Sequence, residues 1–74
     1  MTPQEIAKQY STMIFLSGSI HEGIDTGDRD EETLYFISKN VKHLEIMVEK
    51  DHWTNEDMTA VNQAIADGTA YLGA

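Results

Sequence analysis

A carboxylate and an imidazole stand one helical turn apart in the sequence, at Glu49 and His52. This Glu-x-x-His spacing supplies half of a carboxylate-bridged di-iron pattern, which needs a second such motif and glutamates from two further helices. A homodimer would supply the second Glu-x-x-His motif from its other copy. In the alternative interpretation, His52 is favoured by the dipole at the end of a helix and packs beside Trp53. Glu49 and His52 are therefore kept as metal candidates, but we predict no metal and no cofactor.

Carboxylates are also concentrated between residues 22 and 32, where six acids accompany a single base, Arg29. Calcium favours oxygen-rich loops of this kind. The EF-hand order is nevertheless absent, because placing Asp28 first puts Thr33 where the turn glycine must be. The alternative is a solvated loop whose acids cap the helix that follows. From the sequence, binding of a cation by this loop stays open.

Nucleophilic chemistry has no support in the spacing of the serines. None of the four serines lies in a G-x-S-x-G context, and no glycine-rich loop has the setting of a phosphate-binding unit. The chain contains no cysteine, which excludes thiolate zinc sites and cysteine nucleophiles. Because a helical domain of 74 residues offers no obvious cleft for a drug-sized ligand, we predict that the protein is not an enzyme.

The formal net charge of −8 narrows the classes of partner. Nucleic-acid binding depends on clustered cations, so neither a nucleic acid nor an anionic membrane is expected as a partner. A basic protein surface is permitted. The longest apolar run, residues 13–16, is far shorter than the roughly 20 residues of a membrane span, and the N-terminus lacks the basic flank of a secretory signal. We predict a cytoplasmic protein, or one in the host cytoplasm if it is viral.

The candidate residues lie on or between three predicted helices, each of which begins with a capping pattern. The segment Thr2-Pro3-Gln4-Glu5 reads as a capping box with proline in the first turn, and Met1 and Ile6 are placed as a hydrophobic staple. Acids in residues 28–31 mark the second start. The third start is Thr54, with Trp53 and Met58 as its staple.

Apolar residues recur at alternating spacings of three and four in each segment, which is typical of left-handed bundle packing. The three predicted seams are Ile6, Tyr10, Met13, Ser17, Ile20 and Ile24; Leu34, Ile37, Val41, Leu44 and Val48; and Met58, Val61, Ile65, Gly68 and Leu72. The sequence therefore predicts one all-α domain over residues 1–74, an antiparallel three-helix bundle (up-down-up) with helices 3–23, 29–50 and 55–72. Residues 13–20 also fit a strand, but a lone strand has nothing to pair with, and Ser17, Gly18 and Ser19 are interpreted as small residues at a close helix approach.

The second helix is apolar on two sides. Opposite its seam, at 100° per residue, lie the predicted partner-binding residues Tyr35, Phe36, His43, Ile46 and Met47. Either the helix is sandwiched between the other two, or this second face is buried by another chain. The second interpretation is preferred, because a domain of this size needs further stabilisation and twofold homodimers are the commonest assemblies.

Three functions remain open from the sequence. The first is a small non-enzymatic helical interaction protein, acting as a homodimer or an accessory subunit and of the kind common in phage and mobile-element genomes. The second is an acidic decoy that binds a basic, nucleic-acid-binding surface of another protein. The third is a dimeric metal-binding protein that uses Glu49 and His52.

Overall fold

Three α-helices make up most of the chain in the computed structural model, which describes residues 2–50, 52–53 and 55–74. Helix α1 spans Pro3–Asp25, α2 spans Glu31–Val48 and α3 spans Thr59–Gly73. The helices run up, down and up, and each helix contacts both of the others in a molecule of 40 × 17 × 16 Å. The predicted antiparallel three-helix bundle is confirmed, and residues 13–20 are helical rather than extended.

The caps of the first two helices follow the sequence signals. The Thr2 hydroxyl accepts from the amide of Glu5 at 3.2 Å, and the Glu5 carboxylate accepts from the amide of Thr2 at 3.4 Å, which completes the capping box. Helix α2 is capped by Asp30, whose carboxylate accepts from the amide of Thr33 at 3.2 Å. Met1, the other half of the predicted staple at α1, lies outside the described residues.

Helix α3 begins four residues later than residue 55, so its predicted start is wrong. The predicted cap, Thr54, lies outside the described residues. The indole N–H of Trp53 donates to the carbonyl oxygen of Met47 at 2.8 Å, which ties the connecting segment to the end of α2. The Tyr10 hydroxyl donates to the carbonyl oxygen of Asp57 at 2.7 Å, which ties the same segment to α1. These two hydrogen bonds hold the segment against α2 and α1 before α3 begins at Thr59.

The core is formed by the predicted seams. The buried apolar residues are Met13, Ile20, Ile37, Val41, Leu44, Trp53, Val61 and Ala64. The other apolar seam residues that pack against this cluster are partly buried: Ile6, Tyr10, Ile24, Val48, Met58, Ile65 and Leu72. Leu34 is partly buried but does not pack against the cluster. One side of α2 therefore covers both of its neighbours, and the sandwiched arrangement is not the one observed.

The close approach between helices lies at Gly68 and not at Gly18. A Cβ atom added to Gly68 would meet Val41 Cγ2 at 2.5 Å and Ile20 Cγ2 at 3.2 Å, so only glycine fits there without a shift. A Cβ atom added to Gly18 would meet nothing within 4 Å. The prediction of close packing around Gly18 is therefore wrong, although Ser17 beside it is buried and donates its hydroxyl to the carbonyl oxygen of Met13.

Candidate functional site

The candidate site is the side of α2 that points away from the core, here called the outer face. Its residues are Tyr35, Phe36, Lys39, His43 and Ile46. Three of them are large apolar side chains with much of their surface in solvent: Tyr35 is 68% exposed, Ile46 57% and Phe36 46%. Large apolar side chains clustered on one helix face mark contact surfaces more often than singly exposed ones do.

The helical repeat places these side chains outward. Ile37, Val41 and Leu44 fix the buried side of α2, and a rotation of 100° per residue puts Tyr35 and Ile46 on the opposite side. Helices α1 and α3 both pack against the buried side, and only the last turn of α1, at Gly23, comes near the outer face, at its Tyr35 end. The outer face therefore follows directly from the apolar spacing of α2.

Met47 differs from the other predicted partner-binding residues. It is half-buried and packs against the core cluster, and its carbonyl oxygen holds the Trp53 indole. His43 is exposed on the outer face, as expected for a polar edge. Met47 therefore lies at the border of the outer face, where it contacts the core on one side and solvent on the other.

Charge changes sign along the outer face. Glu32 lies near its beginning, Lys39 in the middle and Lys50 just beyond the end of α2. The amide of Lys50 donates to the carbonyl oxygen of Met47 at 3.2 Å, so Lys50 continues the last helical turn. Glu45 and Glu49 lie roughly 90° or more around the helix from the middle of the outer face. Glu32 and Lys50 therefore place opposite charges near the two ends of the outer face, and the exposed Glu49 precedes Lys50 in the chain.

An open groove of about 520 Å³ adjoins the acidic end of the outer face. The groove is lined by Gly23, Thr26, Asp28, Asp30, Glu32, Thr33, Tyr35, Phe36 and Lys39. Its lining combines two aromatic rings with three carboxylates. A groove of this composition suits an elongated side chain with an apolar stem and a cationic head, which contacts aromatic rings and carboxylates together. The sequence alone does not predict the groove, because it forms only where the end of α1 and the α1–α2 loop lie against α2.

The loop that forms the groove is fastened to α3. The Tyr71 hydroxyl donates to the carbonyl oxygen of Asp28 at 2.5 Å. The Arg29 guanidinium lies 4.5 Å from the centre of the Tyr71 ring, in a cation–π contact, and donates to the carbonyl oxygen of Ala74 at 2.9 Å. Gly27 has φ +72°, a left-handed conformation that glycine adopts without strain. These contacts hold the acids of the loop in place beside α2.

Three acids of the stretch 22–32 lie at the start of α2: Asp30 as its N-cap, and Glu31 and Glu32 in its first turn. Hydrogen bonds from the hydroxyl and the amide of Thr33 hold the pKa of the Asp30 carboxyl below its ordinary value. This carboxylate therefore stabilises the first turn of α2 in its charged form. Within residues 2–50, 52–53 and 55–74, no three acidic or histidine side chains come together as a metal-binding group.

The two metal candidates lie in different surroundings. Glu49 is exposed at the C-terminal cap of α2. His52 is half-buried, with its ring edge-on to Trp53 at a centroid distance of 4.8 Å, and Asp51 between the candidates lies outside the described residues. The His52 Nε2 atom is buried without a hydrogen-bond partner in the described part of the chain. The packing of His52 beside Trp53 agrees with the alternative interpretation of this histidine.

A smaller apolar spot lies on α1. Phe15 is 72% exposed and Ile14 39% exposed, on the side of α1 away from the core. Neither Phe15 nor Ile14 lines the groove beside the outer face. Phe15 is therefore a useful comparison for the outer face, since it is exposed more fully than Phe36.

Comparison of the chain with protein-family models, with curated proteins and with solved structures found no match. None of the helices within the described residues combines the length and apolar character needed to cross a bilayer. Any functional assignment therefore depends on the chemistry of the outer face and its groove.

Proposed function

We propose that this protein is a small, non-enzymatic helical interaction protein, acting as a homodimer or an accessory subunit through the outer face of α2. The observation that carries the proposal is the exposure of Tyr35, Phe36 and Ile46 on one side of one helix. These three side chains do not belong to the core of the bundle, so a partner could bury them without disturbing the fold. Tyr and Phe anchors with a polar edge, here Lys39 and His43, are the usual composition of a protein contact surface.

The size of the chain supports the same conclusion. A domain of 74 residues buries a smaller share of its surface on folding than a larger domain does, and its own core stabilises it only marginally. A partner that binds the folded state stabilises it by mass action. Binding of a partner to the outer face would thus raise the stability of the bundle.

A second candidate is binding to a basic surface of another protein. The observation that favours it is the groove, where Asp28, Asp30 and Glu32 accompany Tyr35 and Phe36. The net charge of −8 would speed the encounter with such a surface. This candidate uses one end of the outer face, whereas the leading proposal uses its whole length.

Photo-cross-linking from the two phenylalanines of the chain tests the leading proposal. Benzoylphenylalanine replaces Phe36 in one variant and Phe15 in the other, and each protein is irradiated in its native host. We expect a discrete adduct from position 36, with a second copy or with another protein, because the outer face is covered in the assembled state. Mass spectrometry of the adduct identifies what covers it.

Position 15 and an added substitution supply the controls. Ile46→Lys places a charge in the outer face and is expected to remove the adduct from position 36. Adducts from position 15 are expected to be diffuse and insensitive to Ile46→Lys. An absence of adducts at position 36, or the same products from both positions, contradicts the proposed function.

A further inference from the structure

We infer that the occupant of the outer face is a second copy of this chain, with its α2 antiparallel to the first. This inference rests on the proposed function and adds the partner and the register. The twofold axis lies at the level of Val41, so that each residue of one outer face meets a different residue of the other. The order of residues along α2 supports this single arrangement.

The apolar residues match in that register. Tyr35 lies on the same flank of the outer face as Ile46, and Phe36 lies on the same flank as Met47. A twofold rotation about the axis near Val41 places Tyr35 opposite Ile46 of the second copy. It places Phe36 opposite Met47 of the second copy in the same way. Both aromatic rings then contact aliphatic side chains, and each contact occurs twice.

The charges match in the same register. Glu32 lies in the first turn of α2 and Lys50 just after its last turn, at equal distances along the chain from Val41. At 100° per residue, both fall on the line that runs along the centre of the outer face. The rotation therefore brings Glu32 opposite Lys50 of the second copy. The carboxylates of Asp28 and Asp30 stand beside Glu32 at the groove, which offers the incoming ammonium further negative charge. A parallel pairing would instead put Glu32 against Glu32 and Lys50 against Lys50.

The centre of the pairing is polar. Lys39 meets His43 of the second copy, where the Lys39 ammonium group can donate a hydrogen bond to an imidazole nitrogen. Lys42 lies at the rim beside Tyr35 and Ile46, and its long stem lets the charge remain in water. One helix face per copy makes a small interface, so we expect a dissociation constant of roughly 10–100 µM.

A charge exchange measured by sedimentation equilibrium tests the register. The proteins are wild type, Glu32→Lys, Lys50→Glu and the double variant with both changes. Each single change replaces two attractive contacts by two repulsive ones, and we expect the dissociation constant to rise about tenfold. The double variant restores the opposite charges with their positions exchanged, and its affinity is expected to return to within about threefold of wild type.

Glu45→Lys is the matched control, because it makes the same change of charge on the same helix outside the outer face. Its dissociation constant is expected to stay within about twofold of wild type. Far-UV circular dichroism establishes that every variant is folded before its mass is compared.

Three results would overturn the inference, and they are distinguishable from failure of the proposed function. A monomeric wild type up to several hundred micromolar removes the second copy but leaves a different partner, which the cross-link from position 36 would identify. A dimer that the double variant does not restore removes the antiparallel register alone. A dimer that persists in folded Phe36→Asp removes both the inference and the outer face as the contact.

Discussion

Leu44→Ala is expected to lower the free energy of unfolding by about 2–5 kcal/mol, which is comparable to the whole margin that a single core of this size supplies. The Leu44 side chain is fully buried and belongs to the core cluster, to which all three helices contribute residues. Truncation removes its burial and leaves a cavity that rigid neighbours fill only in part. Urea unfolding followed by far-UV circular dichroism measures the loss, and a large unfolded fraction is expected without denaturant.

Ile46→Ala is the matched comparison, since it removes an aliphatic side chain from the same helix two residues further on. Its 57% exposure predicts a change within about 0.5 kcal/mol when the protein is diluted to low micromolar concentration. Equal losses from Leu44→Ala and Ile46→Ala would mean that α2 is buried on both sides, contrary to the separation of the buried side from the outer face.

Gly68→Ala is expected to destabilise the protein by about 1–2 kcal/mol, although alanine is the better helix former by about 1 kcal/mol. The new methyl group would stand 2.5 Å from Val41 Cγ2 and 3.2 Å from Ile20 Cγ2. Valine is stiff at χ1, so Val41 cannot turn away without moving α2. The cost of the overlap therefore exceeds the gain in helix propensity. Thermal unfolding measured by circular dichroism shows directly whether Gly68→Ala lowers or raises the stability of the protein.

Gly18→Ala is the control for this prediction, because it makes the same chemical change inside another helix. The added methyl group meets nothing within 4 Å, and we expect a gain of about 0.5–1 kcal/mol. A Gly68→Ala protein as stable as wild type, or more stable, would show that α3 does not approach α1 and α2 as closely as described.

The fold was predictable because spacing and caps agree in the first two helices. The seam of α2 identifies Ile37, Val41 and Leu44 as buried, and all three are. The start of α3 was not predictable from local signals, since Tyr10 holds the connecting segment from another helix through the carbonyl oxygen of Asp57. This contact exists only after the helices have packed.

The glycines show the same limit of sequence reasoning. The spacing places Gly68 on the seam of α3 and leaves Gly18 off the seam of α1, yet the small residues around Gly18 suggested the closer packing. The spacing of apolar residues predicts which side of a helix is buried, but it does not predict which residue of a neighbouring helix each buried residue contacts. Only the packed helices reveal that Gly68 lies against Val41.

The outer face was predictable as a set of residues but not as a surface. The apolar pattern identified Tyr35, Phe36 and Ile46, while their exposure depended on α1 and α3 packing against the same side of α2. Met47 was placed among them by its spacing, although its contact with the core makes it a border residue. The groove depends on the fastening of the loop by Tyr71 and could not be anticipated from local sequence.

The central claim is that the outer face of α2 binds a second copy of the chain, and the thermal midpoint as a function of protein concentration tests it most directly. Association of folded chains stabilises them by mass action, so the wild-type midpoint is expected to rise as concentration passes through the micromolar range. In Ile46→Lys the midpoint is expected to stay constant over the same range. A wild-type midpoint that does not change with concentration, or a rise that Ile46→Lys retains in full, would contradict the account.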